Sequence, residues 1–284
     1  MNEHCSVTGR IKTIKQPYGG YLSPKEFSEI KLNDDKMLFG EENIHASVIG
    51  LVVDYMTRFL MGTPKEEAFK ISLQGVICAD RLFNLDVKKE ALQYFYEIKE
   101  NDSNSIINAC KLVTFDVWYR NPIVALKSKT AKETNPNEQT IQNISIMIQR
   151  SLDFFDNYGS IICDGFTFEG GYTPTVSTGD GDFLTEDTLW DFKVSKSKPT
   201  NKHTLQLLMY WIMGMHSINP EFKKIKKIGF FNPRLNIILT YDLSKLSNSI
   251  IKTIEDEIIC YKDYPNDENV NNVSVLDTKE WIEK

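Results

Sequence analysis

The sequence predicts an α/β (α+β) fold, a sheet core flanked by helices with a helical region packed beside it. Three observations predict it. From about residue 143 the patterning reads helix, three strands, helix, two strands, helix. The first half is mostly helical in period, with no fixed repeat. The chain's 284 residues, 41% hydrophobic and 25% charged, can bury a sizeable core as one large domain or two small ones.

In chain order, residues 1–40 mix glycine, proline and charge without a period and are expected to form a loose N-terminal segment with room for short strands. "IHASVIGLVVDYMTRFLM", from Ile44 to Met61, is helical and is stopped by Gly62, Thr63 and Pro64. Further helices are expected over "KEEAFKISLQGVICADRLF", "KKEALQYFYEIKE" and "SNSIINACKLVTFDVWYR". "NPIVALKSKTAKETNPNEQT" is a polar loop with two Asn–Pro breakers. Helix returns in "IQNISIMIQRSLDFFDNYG", and strand character dominates from Ser160 to Ser195. "TNKHTLQLLMYWIMGMHS" is a helix, "KKIGFF" and "NIILTYDL" are strands around the turn "NPRL", and "SKLSNSIIKTIEDEIICYKD" is a last helix. The expected organisation is an N-terminal segment (1–40), a core helix (41–62), a helical insertion (63–142), the sheet core (143–265) and a polar tail (266–284).

Composition excludes some classes. A net charge of −6 rules out a globally basic nucleic-acid-coating protein but leaves room for a local basic groove. Cys5, Cys78, Cys110, Cys163 and Cys260 are far apart with no CxxC, which argues against a disulfide framework, a zinc ribbon or an iron–sulfur cluster and for inert thiols in a reducing cytosol. The start "MNEHCSVTGR" lacks a signal pattern, and the run "LLMYWIMGM" falls short of the roughly 18–20 residues a membrane span needs. A soluble, cytoplasmic protein is expected. No phosphate loop, G-x-S-x-G elbow or H-E-x-x-H pair is present.

The informative stretch is "GDGDFLTEDTLWDFKVS", residues 179–195, a hairpin that sets charges among aromatics. Alternation puts Leu189, Asp191, Lys193 and Ser195 on one face of the second strand and Trp190, Phe192 and Val194 on the other. A four-residue turn from Thr185 to Thr188 pairs Asp182 with Asp191 and Asp180 with Lys193. Opposed residues have Cβ atoms about 4.5–5.5 Å apart, so two carboxylates there repel each other unless a shared cation intervenes. Oxygen-only ligands suit Mg²⁺ or Mn²⁺. An exposed turn and an edge strand with a surface ion pair is the bland alternative, and a lone D-x-K carries little. Gln206 and Tyr210, spaced i, i+4, share one face of the next helix, which can cover the hairpin's charged surface.

In order, Gly179–Asp180–Gly181–Asp182, Asp191–Phe192–Lys193 and Gln206–Leu207–Leu208–Met209–Tyr210 resemble the G-x-x-D, D/E-x-K and Q-x-x-x-Y motifs of the PD-(D/E)XK nuclease superfamily, in its RecB-like exonuclease branch. The resemblance covers about residues 143–245, with the helix at 44–61 as a further part. It implies a restriction-endonuclease-like core, with Asp182 and Asp191 as metal-binding carboxylates, Lys193 as the catalytic lysine, Gln206 and Tyr210 as a supporting motif, and Mg²⁺ or Mn²⁺ as cofactor. The branch often has G-x-x-x-H upstream. Gly50–Leu51–Val52–Val53–Asp54 stands there, so Asp54 is a third metal-ligand candidate, with an ion pair to Arg58 as its alternative. His45 and Glu42 are weaker candidates.

Lys196, Lys198, Lys202 and His203 follow the hairpin and are candidate phosphate contacts. Lys223, Lys224, Lys226, Lys227 and Arg234 read as solvated surface, Tyr18, Tyr21, Trp118 and Tyr119 as packing more than base-stacking groups, and His216 as a satisfied histidine. The expected function is a divalent-metal-dependent nuclease hydrolysing phosphodiester bonds in DNA. The alternatives are a non-catalytic nucleic-acid-binding or assembly module with the same fold, and a helical interaction protein whose hairpin charges are ordinary surface.

Overall fold

A computed structural model describes residues 5–264, which form a mixed α/β structure with a six-stranded mixed sheet flanked by helices. The expected polar tail at 266–284 lies outside the described residues. Among the described residues, no helix is long and apolar enough to cross a membrane, and the five cysteines are free thiols. The chain divides into two units. The sheet unit takes in described residues 5–32 and 155–264, and the helical unit takes in 33–154.

The strands are β1 (Ser28–Lys31), β2 (Cys163–Asp164), β3 (Phe183–Leu184), β4 (Thr188–Phe192), β5 (Lys227–Asn232) and β6 (Ile237–Asp242), in the spatial order β1-β6-β5-β4-β3-β2. All neighbours are antiparallel except β4 and β5. That exception follows from the connection: the chain crosses over through the helix Asn201–His216, and a parallel pair requires such a crossover. The β5–β6 turn closes because the Asn232 side chain accepts from the backbone N–H groups of Arg234 and Leu235, while Asn236 takes a φ of 53°.

Alternation along the strands gives the sheet two buried faces. Leu184, Leu189, Ile228, Phe230, Ile237 and Leu239 point into the main core, with Leu205, Leu208 and Met209 of the helix Asn201–His216. The opposite face carries a file of rings, Phe155 to Phe183 to Phe192 to Phe231, with centroids 4.8, 6.0 and 5.8 Å apart.

The N-terminal segment is more ordered than expected. Val7–Thr13 is a helix capped by Ser6, whose hydroxyl accepts from Gly9 N–H. Its sequence holds a glycine and four β-branched residues, so propensity hides it. Burial of Val7 and Ile11, spaced i, i+4, is what holds it. Ser28–Lys31 then adds a strand at the sheet edge, a short strand of the kind expected in this segment, whose position the patterning did not mark because all four of its residues are exposed.

In the helical unit the expected helices appear as Ala46–Leu60, Lys65–Ala68, Lys70–Ile77, Lys88–Glu97, Ser103–Leu112 and Asp116–Arg120. The stretch read as a polar loop contains a further short helix, Pro122–Ala125. Pro122 sits at its first position and the Asn121 side chain accepts from Val124 N–H, so the breaker that suggested a loop starts a helix. Gly75 lets Lys70–Ile77 lie directly on the Phe115 backbone, since a Cβ there would fall inside the Phe115 carbonyl. The helix Glu138–Tyr158 runs through the division between the units at 154/155. The division groups the helix at 46–60 with the other helices, whereas the sequence grouped 41–62 and 143–154 with the sheet.

Candidate functional site

The hairpin sets the geometry. Phe183 pairs with Trp190 and Leu184 with Leu189. The ladder ends at Phe183 and Trp190, one residue short of Asp182 and Asp191, and the expected pairings of Asp182 with Asp191 and Asp180 with Lys193 lie beyond it. Asp182 acts through its charge on both Asp191 and Lys193, and Asp180 on Lys193. The turn closes at Thr185, whose N–H donates to Thr188 O, and the Trp190 indole N–H donates to Thr185 Oγ1 at 2.9 Å. "DGD" is not a free turn. Gly181 N–H donates to Phe166 O and Gly165 N–H donates to Asp182 O, so the segment is held against 165–166. Gly181 must lack a side chain, because a Cβ would overlap the Phe166 ring.

Asp191 lies on the Leu189 face, which is the face the helix Asn201–His216 covers. It is 2% exposed. One oxygen, Oδ1, accepts from Lys193 Nζ at 2.9 Å. The other, Oδ2, is buried without a hydrogen-bond partner. Burial, with the charge of Asp182 added, pushes this carboxyl up to about 6 against the pull of Lys193. Asp182 is oriented by the backbone, since Phe192 N–H donates to its Oδ2 at 2.7 Å.

Lys193 is 26% exposed at its side chain. Burial works to lower its pKa, but Asp191, Asp182 and Asp180 together outweigh burial and raise it, so the ammonium is retained. Asp180 is exposed, lies before β3 and not on it, and its charge helps raise the Lys193 pKa.

Gln206 and Tyr210 close the site from above. Both are buried, and Gln206 Nε2 donates to the Tyr210 hydroxyl at 2.7 Å. Burial raises the Tyr210 pKa well above its ordinary value, and the charges of Asp180, Asp191 and Asp182 raise it further. The phenol is therefore a neutral hydroxyl beside three acids. His203 sits one turn earlier. Thr200 N–H donates to its Nδ1 at 3.0 Å, which leaves the proton of the neutral ring on Nε2. Burial and Lys193 lower its pKa, while Asp191 opposes them.

The other candidates are placed as follows. Lys196 and Lys202 are exposed on the segment joining β4 to that helix and on its first turn. Lys198 pairs with Glu29 of β1. Asp54 belongs to the helical unit, where Arg58 Nε donates to its Oδ1 at 2.8 Å. His45 caps the helix Ala46–Leu60, and Glu42 accepts from Asn143. His216 stacks on Tyr261 and meets Glu255. Lys224 and Lys227 of the second basic cluster pair with Glu221 and Asp187.

Among the described residues, no group of three or more His, Cys, Asp or Glu side chains is arranged to hold a metal ion. Two carboxylates fit one of the hard cations nonetheless. Mg²⁺ is commonly held by one or two carboxylates, with water completing its shell. Asp191 offers a buried oxygen with no hydrogen-bond partner, and Asp182 supplies a second negative group whose charge acts on it.

The sequence did not mark Phe166, whose ring holds Gly181, or the Phe192 amide that aims Asp182. Neither carries a signal in residue type, because one is packing and the other is backbone. Compared with known protein families, curated proteins and solved structures, the chain matches none.

Proposed function

We propose that the sheet unit is a divalent-metal-dependent phosphodiesterase acting on nucleic acid, with DNA as the expected substrate and a restriction-endonuclease-like core of the RecB-like kind. The observation that carries this is the buried Oδ2 of Asp191, which has no hydrogen-bond partner and stands beside a second carboxylate and a charged lysine. An acid held at this cost without full satisfaction is explained by a ligand that completes it. The element order supports the same reading, with D-x-K on β4 and Q-x-x-x-Y on the helix that follows.

Asp182 and Asp191 would hold Mg²⁺ or Mn²⁺, which when bound polarises a phosphate and makes water a nucleophile near neutral pH. Lys193 keeps its proton at Nζ and supplies positive charge for the phosphate oxygens where charge builds up. The Phe192 amide fixes Asp182, and the Gln206–Tyr210 pair covers the acids and keeps their surroundings poor in water. Lys196, Lys202 and the Nε2 of His203 would meet backbone phosphates next to the centre.

The test is cleavage of linear and circular DNA with Mg²⁺ or Mn²⁺, repeated with chelator and with Lys193→Ala. Metal-dependent cleavage is expected from the wild type, with a loss of about 100-fold or more in the variant. Equal absence of cleavage in both would overturn the proposal.

A further inference from the structure

A further feature belongs to the same unit as the proposed site and deepens that reading, on which it rests. The sequence reads Tyr18 as a packing residue. The structure places it in water instead: it is 108% exposed, and no other large apolar residue among the described residues is as open. Tyr21, three residues on, does pack against the main core.

A single exposed aromatic needs no explanation by itself. The turn beneath Tyr18 is what makes it informative. Pro17 fixes one backbone angle, and Gly20 N–H donates to Pro17 O at 2.9 Å, which closes a turn at 17–20. Gly19 and Gly20 take φ of 87° and 84°, values that favour glycine. Gly20 also lies against Asn201, since a Cβ there would fall 2.8 Å from Asn201 Cγ. Leu22 is buried, and its carbonyl accepts from Thr204 Oγ1 at 2.6 Å. The turn is therefore pinned to the first turn of the helix Asn201–His216, and the ring stands in water on a stiff support. Little further ordering is lost when a flat partner arrives.

That first helical turn also borders the proposed site. His203 lies two residues beyond Asn201, about 3 Å along the axis, and Lys193 and Asp191 both act on it. Gln206 and Tyr210 follow on the same helix. Lys15 and Lys202 are exposed next to these residues in the chain. Glu257 acts on Tyr21, so the surface carries both signs and charge alone selects nothing here.

We propose that Tyr18 is a stacking platform for a base of single-stranded DNA, and that it directs the proposed phosphodiesterase to unpaired strands and strand ends. An exposed ring stacks on any base, because every base has a π-face. Duplex DNA hides those faces in its own stack and offers Tyr18 only backbone and base edges. A strand whose base rests on Tyr18 has Lys202 and His203 next along the helix for its phosphates. Tyr18 acts on binding and not on the chemical step.

The test is fluorescence anisotropy of the full chain with a labelled twelve-residue oligo-dT, in Ca²⁺ so that binding is read apart from cleavage, and with a blunt twelve-base-pair duplex as the control. Tyr18→Ala should weaken oligo-dT binding about tenfold, change duplex affinity by about twofold at most, and leave the melting temperature unmoved. Tyr18→Trp should restore the affinity, and oligo-dT should quench its added indole emission. In Mn²⁺, Tyr18→Ala should raise KM for oligo-dT about tenfold with kcat little changed. Equal oligo-dT affinity of Tyr18→Ala and the wild type, an equal loss for the duplex, or no binding of oligo-dT by the wild type overturns the proposal. So does a change in self-association with oligo-dT affinity unmoved, which assigns the ring to a protein contact. The nuclease reading fails separately. Tyr18-dependent binding without cleavage in Mg²⁺ or Mn²⁺ keeps the platform and removes the phosphodiesterase, whereas cleavage with Tyr18-independent binding does the reverse.

Discussion

Replacing Asp191 by asparagine should make the metal-free protein more stable at neutral pH. In the fold this carboxyl is pushed from 3.8 up to about 6 by burial and by Asp182. That difference of about two units, at about 1.4 kcal/mol each, is a cost of about 3 kcal/mol to holding the ionised acid at pH 7. Because the folded value is the raised one, the associated stability is fully present below about pH 4 and is lost as the pH rises through about 6. Asparagine removes the charge and therefore the cost, but it gives up the contact with Lys193. The pull of Lys193 is already counted in the value of about 6, and what is subtracted is about 1 kcal/mol for an amide that meets donors aimed at a carboxylate. A net gain of about 1–2 kcal/mol, or roughly 2–6 °C, is expected at pH 7.5 with chelator present, shrinking towards zero at pH 4. The same melts in Mn²⁺ should raise the wild type by mass action and leave the variant unmoved. If Asp191→Asn melts below the wild type at pH 7.5 in chelator, or gains as much from Mn²⁺, Asp191 is a structural ion-pair partner and not a ligand.

Tyr210→Phe leaves Gln206 Nε2 without its acceptor in a buried site and should cost about 1–2 kcal/mol of stability, read by urea unfolding, with a smaller loss of cleavage than Lys193→Ala. Tyr55→Phe removes one of the two hydroxyls that hold the ionised form of Asp116, so the destabilisation should be larger at pH 8 than at pH 5, by about 1 kcal/mol. Gly75→Ala places a methyl group in the Phe115 carbonyl and should lower stability by about 1–3 kcal/mol while leaving unchanged the cleavage proposed for the sheet unit, as checked by melting and activity on the same sample.

What the sequence disclosed and what it hid follow from how far each signal reaches. The hairpin register was legible because alternation and a short polar turn are local, and Phe183 pairing with Trp190 is where the four-residue turn puts it. The crossover helix and the β5–β6 hairpin were legible for the same reason. Val7–Thr13 was not, because only burial of Val7 and Ile11 by distant residues makes that stretch helical. β1 was hidden because all its side chains are exposed and its pairing with β6 is purely backbone. In the site, Asp182, Asp191 and Lys193 announce themselves by charge on a hydrophobic hairpin. The pairing of Lys198 with Glu29 joins residues far apart in the chain, and nothing local predicts it.

Two buried acids show why burial alone would have misled. Asp116 and Asp191 are both 2% exposed, and burial pushes both up to about 6. Their surroundings differ in kind. Asp116 has a hydroxyl on each oxygen, Tyr55 on Oδ2 and Ser72 on Oδ1, so its hydrogen bonds stay within the helical core and it ties three helices together. Asp191 has one oxygen on an ammonium that is itself partly open to solvent, the other without a hydrogen-bond partner, and a second carboxylate, Asp182, whose charge acts on it. A structural acid gains from having every lone pair satisfied from within, because an unmet one costs about 1–3 kcal/mol. An acid left half-satisfied beside a like charge is held at a cost, and a cation arriving from outside would offset it. The same perturbation of pKa thus goes with a strut in one place and, on the proposed function, with a ligand site in the other, and the satisfied or unsatisfied oxygen is the difference between them.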